Sequence, residues 1–251
     1  MLAYKTWLDT RWRFLIGLGL LTLLAFGTAF EYPAVMRLMP LADKVDASSS
    51  IGRAIREAAD LQRTFRGFVW YQWVRQNLTQ LWTLFAVLLG SGGLLAHASS
   101  GATQFTLTLP VSRTEVFGTR VMVGLGELLA LAIVPFLLIP LCAPAVGQSY
   151  RVVDALIHGA CMFAGGSVFF CLALFLSTVF SDLWRPLLIT CAIAVALGVA
   201  DQLIGAGIFH VMTAESYLRA NAVPWTGLLA SATVSAALLY GAMANFARQD
   251  F

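Results

Sequence analysis

Charge is scarce in this chain of 251 residues. Lys, Arg, Asp and Glu together make up 12% of it, against 59% hydrophobic residues, and the mean hydropathy is +0.79. A soluble domain is not built this way, and apolar runs near twenty residues point to membrane spans. Cysteine is scarce too. Cys142, Cys161, Cys171 and Cys191 all lie inside apolar runs, with no CxxC or Cys/His spacing. That argues against a disulfide framework or a metal site and leaves small buried hydrophobes. No GxxxxGK[ST] phosphate loop occurs, so the chain is not expected to bind ATP in P-loop fashion, and no cofactor is expected in it. The G-x-S-G pattern of intramembrane serine proteases is missing as well. Ser91, near His97 and inside a glycine run, reads as helix packing and not as a nucleophile, and no enzymatic activity is expected of the chain itself. The net charge is only +3, with basic residues mostly near span ends, which fits phospholipid rather than nucleic acid. The first apolar run is too long for a removable signal peptide and has no clear small-x-small site before Glu31.

What is present is a series of apolar stretches. Met1 to Arg13 places Tyr4, Trp7, Leu8 and Trp12 at helical spacing, as in a helix lying in the headgroup layer. Spans are expected at 14–30, 78–96, 121–141, 155–180, 187–209 and 223–246. Glu31 to Asn77 is the one long polar segment and is expected as an outer loop. It holds Pro33 and Pro40, then an amphipathic stretch with Ile51, Ile55, Ala58, Leu61, Phe65 and Phe68 near helical period, expected as a helix on the membrane surface or against the outer ends of the spans, and an interfacial mark at Trp70, Tyr71 and Trp73. The short loops are richer in Lys and Arg on the side of the termini, which favours termini inside.

Between the second and third spans, Ser99 to Arg120 cannot itself sit in lipid. Pro110 breaks any helix arriving from Ser100, and Ser112 and Glu115 form an S-x-x-E start signal. The reading is a short cytosolic helix, a turn at Leu109-Pro110-Val111, and a capped helix running into the membrane. The run Leu107-Thr108-Leu109-Pro110-Val111-Ser112-Arg113, preceded by Gly101 and Phe105, resembles the first cytosolic loop of type-2 ATP-binding-cassette (ABC) permeases. The resemblance extends to an interfacial N-terminal helix, six spans and the ending Arg248-Gln249-Asp250-Phe251. Where that family often has an acidic residue just before the loop, this chain has His97 and Ala98.

The resemblance implies a coupling helix that docks on an ATPase subunit, with contacts at Gly101, Gln104, Phe105, Leu107, Pro110, Ser112 and Arg113. It implies two ATPase copies carrying ATP and Mg, a second permease chain, and a bacterial inner membrane with both termini cytoplasmic. The expected architecture is a single all-α domain over 1–251, a polytopic membrane protein with six transmembrane helices, and the expected function is that of an export permease. A non-transport membrane scaffold or a secondary transporter are the alternatives. Within the spans, Glu127, His158 and Asp201 are ionisable and therefore functional candidates. Asp201 with Gln202 is the strongest candidate for a translocation path, Glu127 is a second or a helix-register contact, and His158 is read as interfacial.

Overall fold

The computed structural model describes residues 2–42, 49–91 and 112–248. Every element among them is helical, and five helices are long and apolar enough to cross a membrane. This is a membrane protein by the length and composition of those helices.

Helix α1 runs Leu2–Ala42, 41 residues without a break. The expected interfacial helix and first span are one rod, because no capping residue, glycine or proline separates Arg11 from Phe14. It continues through Pro33 into the segment expected to be loop. At 1.5 Å per residue the rod is about 60 Å long, roughly twice the hydrocarbon thickness. Its threonines stay satisfied in apolar surroundings by bonding back one turn: Thr6 to Leu2, Thr22 to Leu18 and Thr28 to Leu24.

The amphipathic stretch of the outer segment is helical, as its period predicts. Ser49 caps α2 (Ser50–Gln62), its hydroxyl accepting from the Gly52 N–H at 2.9 Å, and Thr64 caps α3 (Phe65–Phe68) in the same way. A π-helical segment, Val69–Leu78, follows and passes directly into α4 (Thr79–Gly90). Trp70 and Trp73 do not mark an interface. Both are fully buried in the core, and only Tyr71 is half exposed. The wider π turn swings the pair inward while the chain keeps its helical path.

Helix α5 (Arg113–Cys142) begins at the predicted signal, with the Ser112 hydroxyl accepting from the Glu115 N–H at 3.2 Å. It then runs through Pro135 and Pro140 into a single 3-10 turn, Ala143–Val146. Helix α6 (Val152–Ser177) is the central element and packs against α4, α5 and three of the four helices that follow it. Helix α7 spans Trp184–Ile204, not 187–209. Gly205 stops it in the left-handed conformation with φ 71°. Residues 210–222, between the fifth and sixth expected spans, hold most of α8 (Ile208–Thr213) and all of α9 (Glu215–Ala220), and α10 (Trp225–Arg248) is the last helix among the described residues. Helices α7 and α10 turn most of their apolar residues outward, Leu188, Val195 and Leu203 on one and Leu229 and Tyr240 on the other.

Helix α4 meets α6 through small residues. A Cβ at Gly90 would lie 2.6 Å from the Phe170 carbonyl oxygen and 2.9 Å from the Ala173 methyl, whereas one at Gly19 on α1 meets nothing within 4 Å. The two sites should respond to alanine with opposite signs. Gly19→Ala removes a helix-weakening residue and is expected to raise the melting temperature slightly. Gly90→Ala forces α4 off α6 and is expected to cost about 1–3 kcal/mol. Thermal unfolding in detergent reads both, and equal shifts would mean that α4 is not held against α6 at this distance.

Candidate functional site

A cleft of about 1040 Å³ opens between the π–α4 run and α7. One wall carries Tyr71, Arg75, Gln76, Gln80 and Leu84, the other Cys191, Val195, Val199 and Gln202. These positions recur at helical spacing, so each helix contributes one continuous stripe. The two helices run antiparallel along the cleft. The Trp70 indole N–H donates to the Thr213 carbonyl at 2.8 Å, which fixes the start of the π segment at α8, and α8 follows the end of α7. The Tyr71 end of one wall therefore faces the Asp201 end of the other.

That end is capped by charge. Asp201 is only 6% exposed, in the last turn of α7. Gly205 reverses the chain, and Gly207 lets it pass directly over the acid, since a Cβ there would run into the Asp201 carboxylate. The reversal lays α8 back on α7. Asp201 Oδ2 then accepts from the His210 backbone N–H at 3.2 Å and faces the His210 Nδ1 at 3.0 Å. On the other side of the ring, Nε2 lies 3.3 Å from a Glu215 carboxylate oxygen. The second Glu215 oxygen receives two Arg219 N–H groups, at 2.7 and 2.8 Å. The ring thus stands between two carboxylates, with Arg219 beyond the second, in the order Asp201, His210, Glu215, Arg219. Among the described residues Asp201 Oδ1 has no partner.

Of the predicted translocation residues, Asp201 and Gln202 line this cleft and Glu127 does not. Glu127 is buried, and its Oε1 accepts from the Thr10 hydroxyl at 2.6 Å. It joins α5 to α1. His158 is not interfacial but fully buried. Its Nδ1 is 3.2 Å from the Thr213 carbonyl, and its ring packs on Phe136 and Tyr217. A carbonyl only accepts, so that nitrogen carries the proton. Within the predicted coupling set, Ser112 is the cap of α5 and Arg113 its first residue. Gly101, Gln104, Phe105, Leu107 and Pro110 lie outside the described residues.

Sequence reading missed His210, Glu215 and Arg219, having placed them in a loop. The signal was available in Gly205-Ala206-Gly207, a turn marker directly after the acid. It also missed a second seam at this end of the molecule. Asp154, at the start of α6, accepts from the Tyr217 hydroxyl at 2.7 Å and lies 3.5 Å from Arg66 Nε. Arg66 in turn reaches the Tyr217 carbonyl and the Asn221 side chain and lies over the Tyr217 ring. Burial, together with the bond donated to Asp154, holds the Tyr217 hydroxyl above the usual phenol range. Burial pushes Tyr150 in the same direction.

No family model, no curated protein and no solved structure matches this chain.

Proposed function

We propose that this chain is the membrane-spanning permease subunit of an ATP-driven exporter of the type-2 ABC kind. The observation that carries the transport half of the reading is the cleft. A helical membrane protein keeps an elongated space lined with Arg75, Gln76, Gln80 and Gln202 in an otherwise apolar body, and polar groups inside a membrane bundle mark ligand paths. Support against a secondary transporter comes from the separation of the ionisable residues. Glu127 contacts α1, His158 contacts α8, and Asp201 caps the cleft, so they form no connected relay at mid-depth.

The ATP half rests on the resemblance around Leu107 to Arg113, and the capped start of α5 at Ser112 is compatible with it. In this reading two ATPase chains hold the ATP and Mg, and a second permease chain completes the complex. The termini and the 99–120 segment face the cytosol of a bacterial inner membrane. The coupling segment docks through Phe105, with Arg113 at the rim.

The test is purification of the tagged chain from its native membrane, with ATP hydrolysis measured on whatever accompanies it. An ATPase subunit should co-purify. Phe105→Asp should weaken that association by about 2 kcal/mol or more, as a charge placed in a central anchor does, while inserting normally. No associated ATPase, or full binding and activity in Phe105→Asp, would sink the reading.

A further inference from the structure

The cleft changes character along its length. At the α8 end it is charged, lined by Arg75, Asp201, His210, Glu215 and Arg219. In the middle it offers the side-chain amides of Gln76 and Gln80. At the far end it is apolar, with Leu84, Val87, Cys191, Ala194 and Val195. From Tyr71 to Val87 the wall is about 24 Å long at helical rise, close to the length of one phospholipid leaflet including its headgroup.

The charges at the head of the cleft are not equal. His210 stands between the Asp201 and Glu215 carboxylates, and Glu215 also holds Arg219. Arg75 is different. Its side chain is exposed, its guanidinium lies 5.8 Å from the ring centroids of both Trp70 and Tyr71, and among the described residues it meets no carboxylate. A guanidinium steadied on two aromatic rings, with its N–H fork unused, matches a phosphate better than any other common headgroup group. Below it the polarity falls off in the order of a lipid's own parts: phosphate, ester and glycerol oxygens, then acyl chain.

We propose that the cleft binds a phospholipid-like amphiphile, its phosphate on Arg75, its glycerol region along Gln76 and Gln80, and an acyl chain between α4 and α7 beside Val195. This goes beyond the transport reading by naming the class of molecule the cleft takes. It rests on that reading only for where the molecule is carried, since binding is read without any ATPase.

The experiment is native mass spectrometry of the purified chain in detergent, titrated with phosphatidylglycerol or with dioleoylglycerol, which lacks the phosphate. Wild-type protein should hold phosphatidylglycerol at least about tenfold more tightly, the value of one charge-assisted contact. Arg75→Gln should fall to the diacylglycerol level, and Arg75→Lys should recover part of the difference. Val195 lines the open cleft with its side chain exposed, so Val195→Trp should fold and should weaken both lipids by filling the apolar end. Excess inorganic phosphate should displace neither lipid. Unchanged phosphatidylglycerol binding in Arg75→Gln would overturn the headgroup assignment. Unchanged binding in Val195→Trp, or displacement by inorganic phosphate, would overturn the placement of an acyl chain in the cleft.

Discussion

Asp154→Leu should lower the stability of this protein by about 3 kcal/mol. The carboxylate is 3% exposed, and it is the acceptor for the Tyr217 hydroxyl and the ionic partner of Arg66. Its removal leaves a buried hydroxyl and a half-buried guanidinium without their acceptor, and the guanidinium keeps only the weaker contacts to the Tyr217 carbonyl and Asn221. Breaking a fully buried pair from one side costs 3–5 kcal/mol. Arg66 is 31% exposed, so solvent recovers part of its loss and the lower end applies. Asp154→Asn keeps an acceptor for Tyr217 and should cost only about 1 kcal/mol. The seam ties the start of α6 to the α3 and α9 region, so the loss should appear as a lower melting temperature in detergent. Equal melting temperatures for the two variants would mean that neither the charge nor its geometry holds this end of the bundle.

The second large effect is expected at Asp201, where stability and function can be separated. Asp201→Leu deprives the His210 backbone N–H and ring of their acceptor beneath a chain reversal. It should cost about 2–3 kcal/mol as buried donors go unmet. Asp201→Asn keeps an oxygen for the backbone N–H and should cost about 1 kcal/mol. It also removes one of the two negative charges flanking His210, which changes the field at the head of the cleft. Asp201→Asn should therefore reduce transport, or lipid binding in the cleft, while the protein stays folded. If Asp201→Asn behaves as wild type in function and only Asp201→Leu loses stability, the acid is a structural clasp and not part of the ligand path.

Local signals were legible wherever one residue settles a local choice. Ser112 with Glu115 marked the start of α5 within a residue, because a cap acts through its own hydroxyl and the nearest N–H groups. Asp201 stood out because a carboxylate in an apolar helix is costly unless something meets it. What met it did not stand out. His210, nine residues on, pairs with Asp201 only because Gly205 and Gly207 fold α8 back, and a glycine pair says that a chain can turn without saying onto what. Prolines misled in the opposite direction. Pro33 was read as part of the outer segment that begins at Glu31, yet α1 passes through it and gives up one backbone hydrogen bond of a long helix. Trp70 and Trp73 were read as an aromatic belt from composition alone. Their burial depends on the π turn that rotates them inward, and no residue pattern announced that turn.

By itself the sequence determined that this protein is helical and lives in a membrane. It also determined roughly where each apolar stretch lies and which acid in those stretches demands a partner. These follow from composition and short-range periodicity, which act through solvent and neighbouring turns. Only the tertiary structure decided that the first forty residues form one rod, that Glu127 and His158 are internal struts, and that Asp201, His210, Glu215 and Arg219 assemble beside Arg75 at the head of a cleft. Those outcomes depend on contacts between residues far apart in the chain, where the close approach of α4 to α6 at glycine and the doubling back of α8 over α7 choose among pairings that the local pattern leaves equivalent.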